Sequence, residues 1–113
     1  MKASVSGNPI LSDNIVFPAG ARRLVIKIGS AQITSGGKIN SSKIRKIVSE
    51  CISLIKQKKQ IILVSSGAIA SARFLFPAGY KLSLIEKQAL ASIGQVFLME
   101  YYKKAFGSAK IPA

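Results

Sequence analysis

The chain has 113 residues, 49% of them hydrophobic, with a mean hydropathy of +0.33. That is enough apolar surface for one folded domain and too much for a disordered chain. Seventeen Lys and Arg against four Asp and Glu leave +13, a balance that attracts polyanions but does not bear on fold. With no histidine and a single cysteine, Cys51, the sequence holds neither an internal disulfide nor the Cys/His cluster that zinc needs, and a lone thiol suits a reducing, cytoplasmic setting.

Residues 1–21, MKASVSGNPILSDNIVFPAGA, hold one lysine, Asp13 and two prolines but no continuous apolar stretch. They read as a poorly ordered extension rather than a secretory signal or a transit helix. Further on, Arg73, Glu86 and Lys87 interrupt every apolar stretch before the ~20 residues that a membrane span needs.

RLVIKIGS, residues 23–30, is a β-branched run closed by Gly29-Ser30 and predicts a buried strand, with Lys27 an odd charge near its end. Gly36-Gly37 marks a turn or short hairpin. Ser41 or Ser42 is placed to cap the next helix. In that helix Ile44, Ile47, Val48, Cys51, Ile52 and Ile55 recur every three or four residues, and lysines crowd its C-terminal end. IILVSS predicts a second buried strand and GAIASARFLF a helix leaving it. Ser83 and Glu86 form a capping box that opens a long last helix, whose apolar face is expected to run through Ile85, Ala89, Ile93 and Val96 and then Leu90, Phe97 and Tyr101. Gly94 is costly inside that helix and points to close approach by another element.

Strand, helix, strand, helix, helix is a βαβα pattern, so the fold class is α/β with two parallel strands. Such strands want helices on both faces of their sheet, which three helices do not easily provide; the chain reads as the opening part of an α/β domain. Ligands of open α/β sheets gather beyond the C-terminal strand ends. Lys27 with Gly29-Ser30, and Ser65-Ser66-Gly67, both fall there. A helix starting near Gly67 would offer free N–H groups to an anion, Gly67 would let the backbone approach closely, and a serine hydroxyl could donate. The same residues also suit an ordinary capped turn, and Lys27 could equally snorkel or pair with a carboxylate. Neither a P-loop nor the dinucleotide fingerprint G-x-G-x-x-G is present.

LVIKIGSAQIT, IILVSSGAIASAR and KQALASIGQVFLMEYY, in this order and spacing, resemble the glutamate 5-kinase branch of the amino-acid kinase family, from about Arg22 to about Phe106. The resemblance implies the opening βαβα portion of a three-layer αβα domain over residues 22–113. It implies an ATP-dependent phosphotransferase acting on the side-chain carboxylate of L-glutamate in proline biosynthesis, with ATP and Mg2+ as cofactors. Lys27 then corresponds to a catalytic lysine near the transferring phosphates, Gly29 and Ser30 to the adjoining phosphate-binding turn, and Ser66 with Gly67 to the glutamate-binding block. Such chemistry asks mainly for positioning and charge stabilisation, so it needs no histidine.

The departures are also informative. Ala72 stands where the family usually has glycine, and SAKIPA at the end fits the family pattern poorly. Family members continue for well over another hundred residues, and the four acids here, Asp13, Glu50, Glu86 and Glu100, are not placed to hold Mg2+. The chain is therefore expected to be a truncated, inactive form, or a remnant subunit that joins a complementing kinase half or a second copy. A basic nucleic-acid-binding protein is the alternative. Its binding would be non-specific and salt-sensitive, since the cations are spread along the chain without interleaved aromatics.

Overall fold

The computed structural model describes residues 20–113; the extension expected over residues 1–21 lies, up to residue 19, outside them. Strands β1 (Arg23–Ile28) and β4 (Gln60–Ser65) lie side by side in parallel, Arg23 opposite Gln60 and Ile28 opposite Ser65. The crossover between them contains a 3-10 turn (Ser30–Gln32), a hairpin of β2 (Thr34–Ser35) and β3 (Lys38–Ile39), and helix α1 (Ser41–Lys56). After β4 come α2 (Ala68–Ala72), a 3-10 turn (Arg73–Leu75) and α3 (Leu84–Gly107). This is the mixed α/β arrangement with parallel strands that the sequence pattern predicts.

Alternation along β1 sends Leu24, Ile26 and Ile28 into the core and leaves Arg23, Val25 and Lys27 outside. The inward set packs in one cluster with Ile44, Ile47, Val48, Cys51 and Leu54 of α1 and with Leu98, Tyr102 and Phe106 of α3. Burial pushes the Cys51 thiol up to about 11, with Glu50 adding to the shift, so Cys51 remains a neutral core group. The other sheet face is open among the described residues. Val25 is 62% exposed and Ile62 48%, although parallel sheets are normally covered on both faces.

Asn40 caps α1, its side chain accepting from the backbone N–H groups of Ser42 and Lys43 at 3.0 and 3.2 Å. The expected caps, Ser41 and Ser42, lie instead within the first turn, because the extended residue before the helix is Asn40. The capping box of α3 is as expected: Glu86 N–H donates to the Ser83 hydroxyl at 3.1 Å, and Ser83 N–H to the Glu86 carboxylate at 3.0 Å. The buried line of α3 shares Leu90 with the expected face and otherwise differs from it. It runs through Leu90, Gly94, Leu98, Tyr102 and Phe106, while Ile85, Ile93 and Val96 face outward. Apolar residues surround this helix almost completely, so spacing alone does not select a side. Contact with α2 selects it: a Cβ on Gly94 would stand 1.7 Å from the carbonyl oxygen of Ala68. The close approach expected at Gly94 is therefore present.

Candidate functional site at the carboxyl end of the sheet

At the end of β4 the two serines have different tasks. The Ser65 hydroxyl lies 2.7 Å from the Tyr102 hydroxyl and donates to the Ser66 carbonyl at 2.8 Å, tying the strand end to α3. Burial raises the Tyr102 pKa, partly offset by this bond to Ser65, so the phenol stays neutral. Ser66 N–H donates to the Ile28 carbonyl at 2.8 Å, which holds Ser66 at the carboxyl edge of the sheet, and its side chain is exposed. Gly67 then turns the chain at φ +111°, a conformation that suits glycine. The Ser71 hydroxyl and N–H both donate to the Gly67 carbonyl, at 2.8 and 3.0 Å. The helix expected over GAIASARFLF is shorter: five residues in α-helix, then a 3-10 turn. At that length its macrodipole is a minor contribution.

The β2–β3 hairpin stands opposite. Gly36 and Gly37 both have positive φ, +59° and +75°, as a two-residue hairpin turn requires. The Thr34 hydroxyl donates to the Ser30 carbonyl at 2.9 Å, and the Lys43 ammonium to the Thr34 carbonyl at 2.7 Å. Ile33, fully buried beneath the hairpin, limits the space behind Gly67: a Cβ there would lie 2.6 Å from its Cδ1.

Between these pieces lies a cavity of about 820 Å3, lined by Ser30, Lys38, Ser66, Gly67, Arg73 and Gly79 among others. That volume suits a small molecule. The wall carries two cations, Lys38 and Arg73, and no carboxylate.

The sequence-predicted residues divide. Ser30, Ser66 and Gly67 meet in the cavity wall. Gly29 sits next to it, its N–H donating to the Gln32 side chain at 2.7 Å. Lys27 projects from the open sheet face, with Val64 opposite it in register. Lys38 and Arg73 were not expected in the site, and the hairpin glycines were expected as a turn but not as cavity wall. A Gly-Gly-Lys turn and an arginine six residues beyond Gly67 were the available signals, but neither matches a phosphate-binding pattern in sequence. Among the described residues no group of His, Cys, Asp or Glu is placed to hold a metal ion. Glu50 is buried on α1, Glu86 accepts from Tyr80 and Ser83, and Glu100 pairs with Lys103 at 4.0 Å. The carboxylates of the described residues therefore do not form a donor set that fits Mg2+.

Two parallel strands with a cavity at their carboxyl edge are an α/β arrangement, and that edge is where open α/β sheets place their ligands. Residues 22–113 match the amino acid kinase family, and the chain belongs to that family. The match runs to the final residue and so includes SAKIPA, the segment expected to fit the family pattern poorly. The chain is 44% identical over 93 residues to a glutamate 5-kinase of Dictyoglomus turgidum, an alignment covering 80% of this chain and 25% of that protein. A glutamate 5-kinase of Desulfotalea psychrophila is 45% identical over 89 residues (77% of this chain, 24% of the relative). That of Helicobacter hepaticus is 43% identical over 90 residues (80% and 33%). The chain thus spans about a quarter to a third of the length of these relatives. No helix among the described residues is long and apolar enough to cross a membrane.

Proposed function

We propose that residues 22–113 are the N-terminal portion of a glutamate 5-kinase domain and form the L-glutamate-binding side of its site. The supporting observation is the cavity at the carboxyl edge of β1 and β4, whose wall contains Ser66 and Gly67 of the segment that matches the family. In this reading the Ser66 hydroxyl and nearby backbone groups orient glutamate so that its side-chain carboxylate faces the γ-phosphoryl group of ATP. The carboxylate oxygen forms a bond to phosphorus as the bond to the ADP oxygen breaks. Lys27, Gly29 and Ser30 lie at or just beyond the end of β1 and meet the phosphates, Lys27 as a point charge on the transferring group.

The open sheet face supports a complementing kinase half. Val25, Ile62 and Val64 leave an apolar surface beside Lys27 that a second layer of helices would cover. Such a half would bring the nucleotide-side groups and carboxylates that this cavity lacks. By itself the 113-residue protein is expected to show no glutamate-dependent consumption of ATP.

Supplying that half, by fusion to the remainder of the Dictyoglomus turgidum relative, separates the two roles. Lys27→Met should lower kcat by roughly 100-fold, since its charge acts on the transition state. Ser66→Ala should raise the glutamate KM by about tenfold with kcat nearly unchanged, since a ground-state hydrogen bond is lost. The reverse pattern, or wild-type kinetics in both variants, would contradict the assignment.

A further inference from the structure

We infer that Arg73 is a positioning residue: its guanidinium fastens the loop at residues 76–80 as one wall of the cavity and so sets how tightly the cavity holds a small dicarboxylate. The affinity part of this inference rests on the glutamate reading above.

Arg73 is the first residue after α2, partly buried, and lines the cavity. One terminal nitrogen donates to the Pro77 carbonyl at 3.4 Å and the other to the Tyr80 carbonyl. Pro77 and Tyr80 are the two ends of a turn that Gly79 closes at φ +81°, with Tyr80 N–H donating to the Pro77 carbonyl at 3.1 Å. The guanidinium thus bridges the turn from end to end. On the far side the Tyr80 hydroxyl donates to Glu86 at 2.8 Å, and Glu86 also accepts from Ser83 N–H at 3.0 Å. A chain of polar bonds therefore runs from the end of α2, through the loop, to the first turn of α3.

These bonds matter because residues 77–80 are exposed and have little apolar anchorage beyond the stacked rings of Phe76 and Tyr80, whose centroids are 5.0 Å apart. Phe76, Ala78 and Gly79 are nevertheless cavity wall. A loop held by a planar fork loses its anchor when the fork is lost, even if the charge remains. Lysine keeps the charge but has a single ammonium in place of the fork. That difference distinguishes positioning from direct pairing with a ligand carboxylate.

The test is calorimetric titration of the 113-residue protein with L-glutamate, for wild type, Arg73→Lys and Arg73→Gln, with amide NMR spectra of each ligand-free protein. Both variants should weaken binding alike, by about tenfold, and shift the amide signals of residues 78–80 while those of Ile47 and Leu98 hold still. Wild-type affinity in Arg73→Lys with loss in Arg73→Gln would show direct charge pairing and overturn the inference. So would unaltered binding, or unmoved loop signals, in both. If both variants unfold, Tyr80→Phe takes over by cutting the loop from α3 with Arg73 intact: weakened binding supports the inference and wild-type affinity overturns it. If wild type itself does not bind glutamate, the substrate reading falls, and the hold of Arg73 on the loop is decided by the 78–80 signals alone.

Discussion

Gly94→Ala is expected to destabilise the protein by about 2–3 kcal/mol, lowering its melting temperature by roughly 10–20 °C. Two effects compete at this position. Alanine in a helix interior favours the helix by ~1 kcal/mol over glycine. Against that, the new Cβ would stand 1.7 Å from the Ala68 carbonyl oxygen and 2.6 Å from its carbon. Those are backbone atoms and cannot rotate away, so α2 and α3 must separate, and overpacking wins. Gly107→Ala in the same helix meets nothing within 4 Å and should leave stability nearly unchanged. Urea unfolding of the two variants checks this; a Gly94→Ala protein as stable as wild type would mean that α2 does not rest on α3 there.

Gly67→Ala carries the second large effect, here on fold and site together. A φ of +111° lies in the left-handed region that side-chain-bearing residues rarely adopt, so strain alone costs about 1–3 kcal/mol. The added Cβ also meets Ile33 Cδ1 at 2.6 Å, and Ile33 is fully buried with little room to retreat. Gly79→Ala is the useful comparison: its φ is +81° with nothing within 4 Å, so it reports strain without crowding. Gly67→Ala should lose at least ~1 kcal/mol more than Gly79→Ala, and glutamate affinity should fall with it. Equal losses in unfolding experiments would mean that the hairpin base does not press on the turn.

These glycines also show which parts of the molecule were legible in sequence. Gly36-Gly37, Gly94 and the Ser83–Glu86 box each announced a local geometry, because a turn, a close approach and a helix start are set by residues adjacent in the chain. The parallel pair followed from two β-branched runs separated by an amphipathic helix. The face of α3 was not legible, since its apolar residues surround the axis and the choice is made by α2, remote from most of them in sequence. The same holds for the cavity. Ser66 and Gly67 declared themselves at a strand end, but Lys38 and Arg73 join them only because the hairpin and the 3-10 turn fold toward one another. Lys27 shows the opposite case: sequence placed it at the strand end, and alternation along β1 turns its side chain to the open sheet face.

The most direct measurement of the central claim is a crystal structure of this protein grown with L-glutamate. The account predicts glutamate in the cavity, with one carboxylate within hydrogen-bond distance of the Ser66 hydroxyl and of backbone N–H groups near Gly67, between the hairpin and the 76–80 loop. Glutamate bound instead on the open sheet face beside Lys27, or a cavity left empty at saturating glutamate, would contradict it.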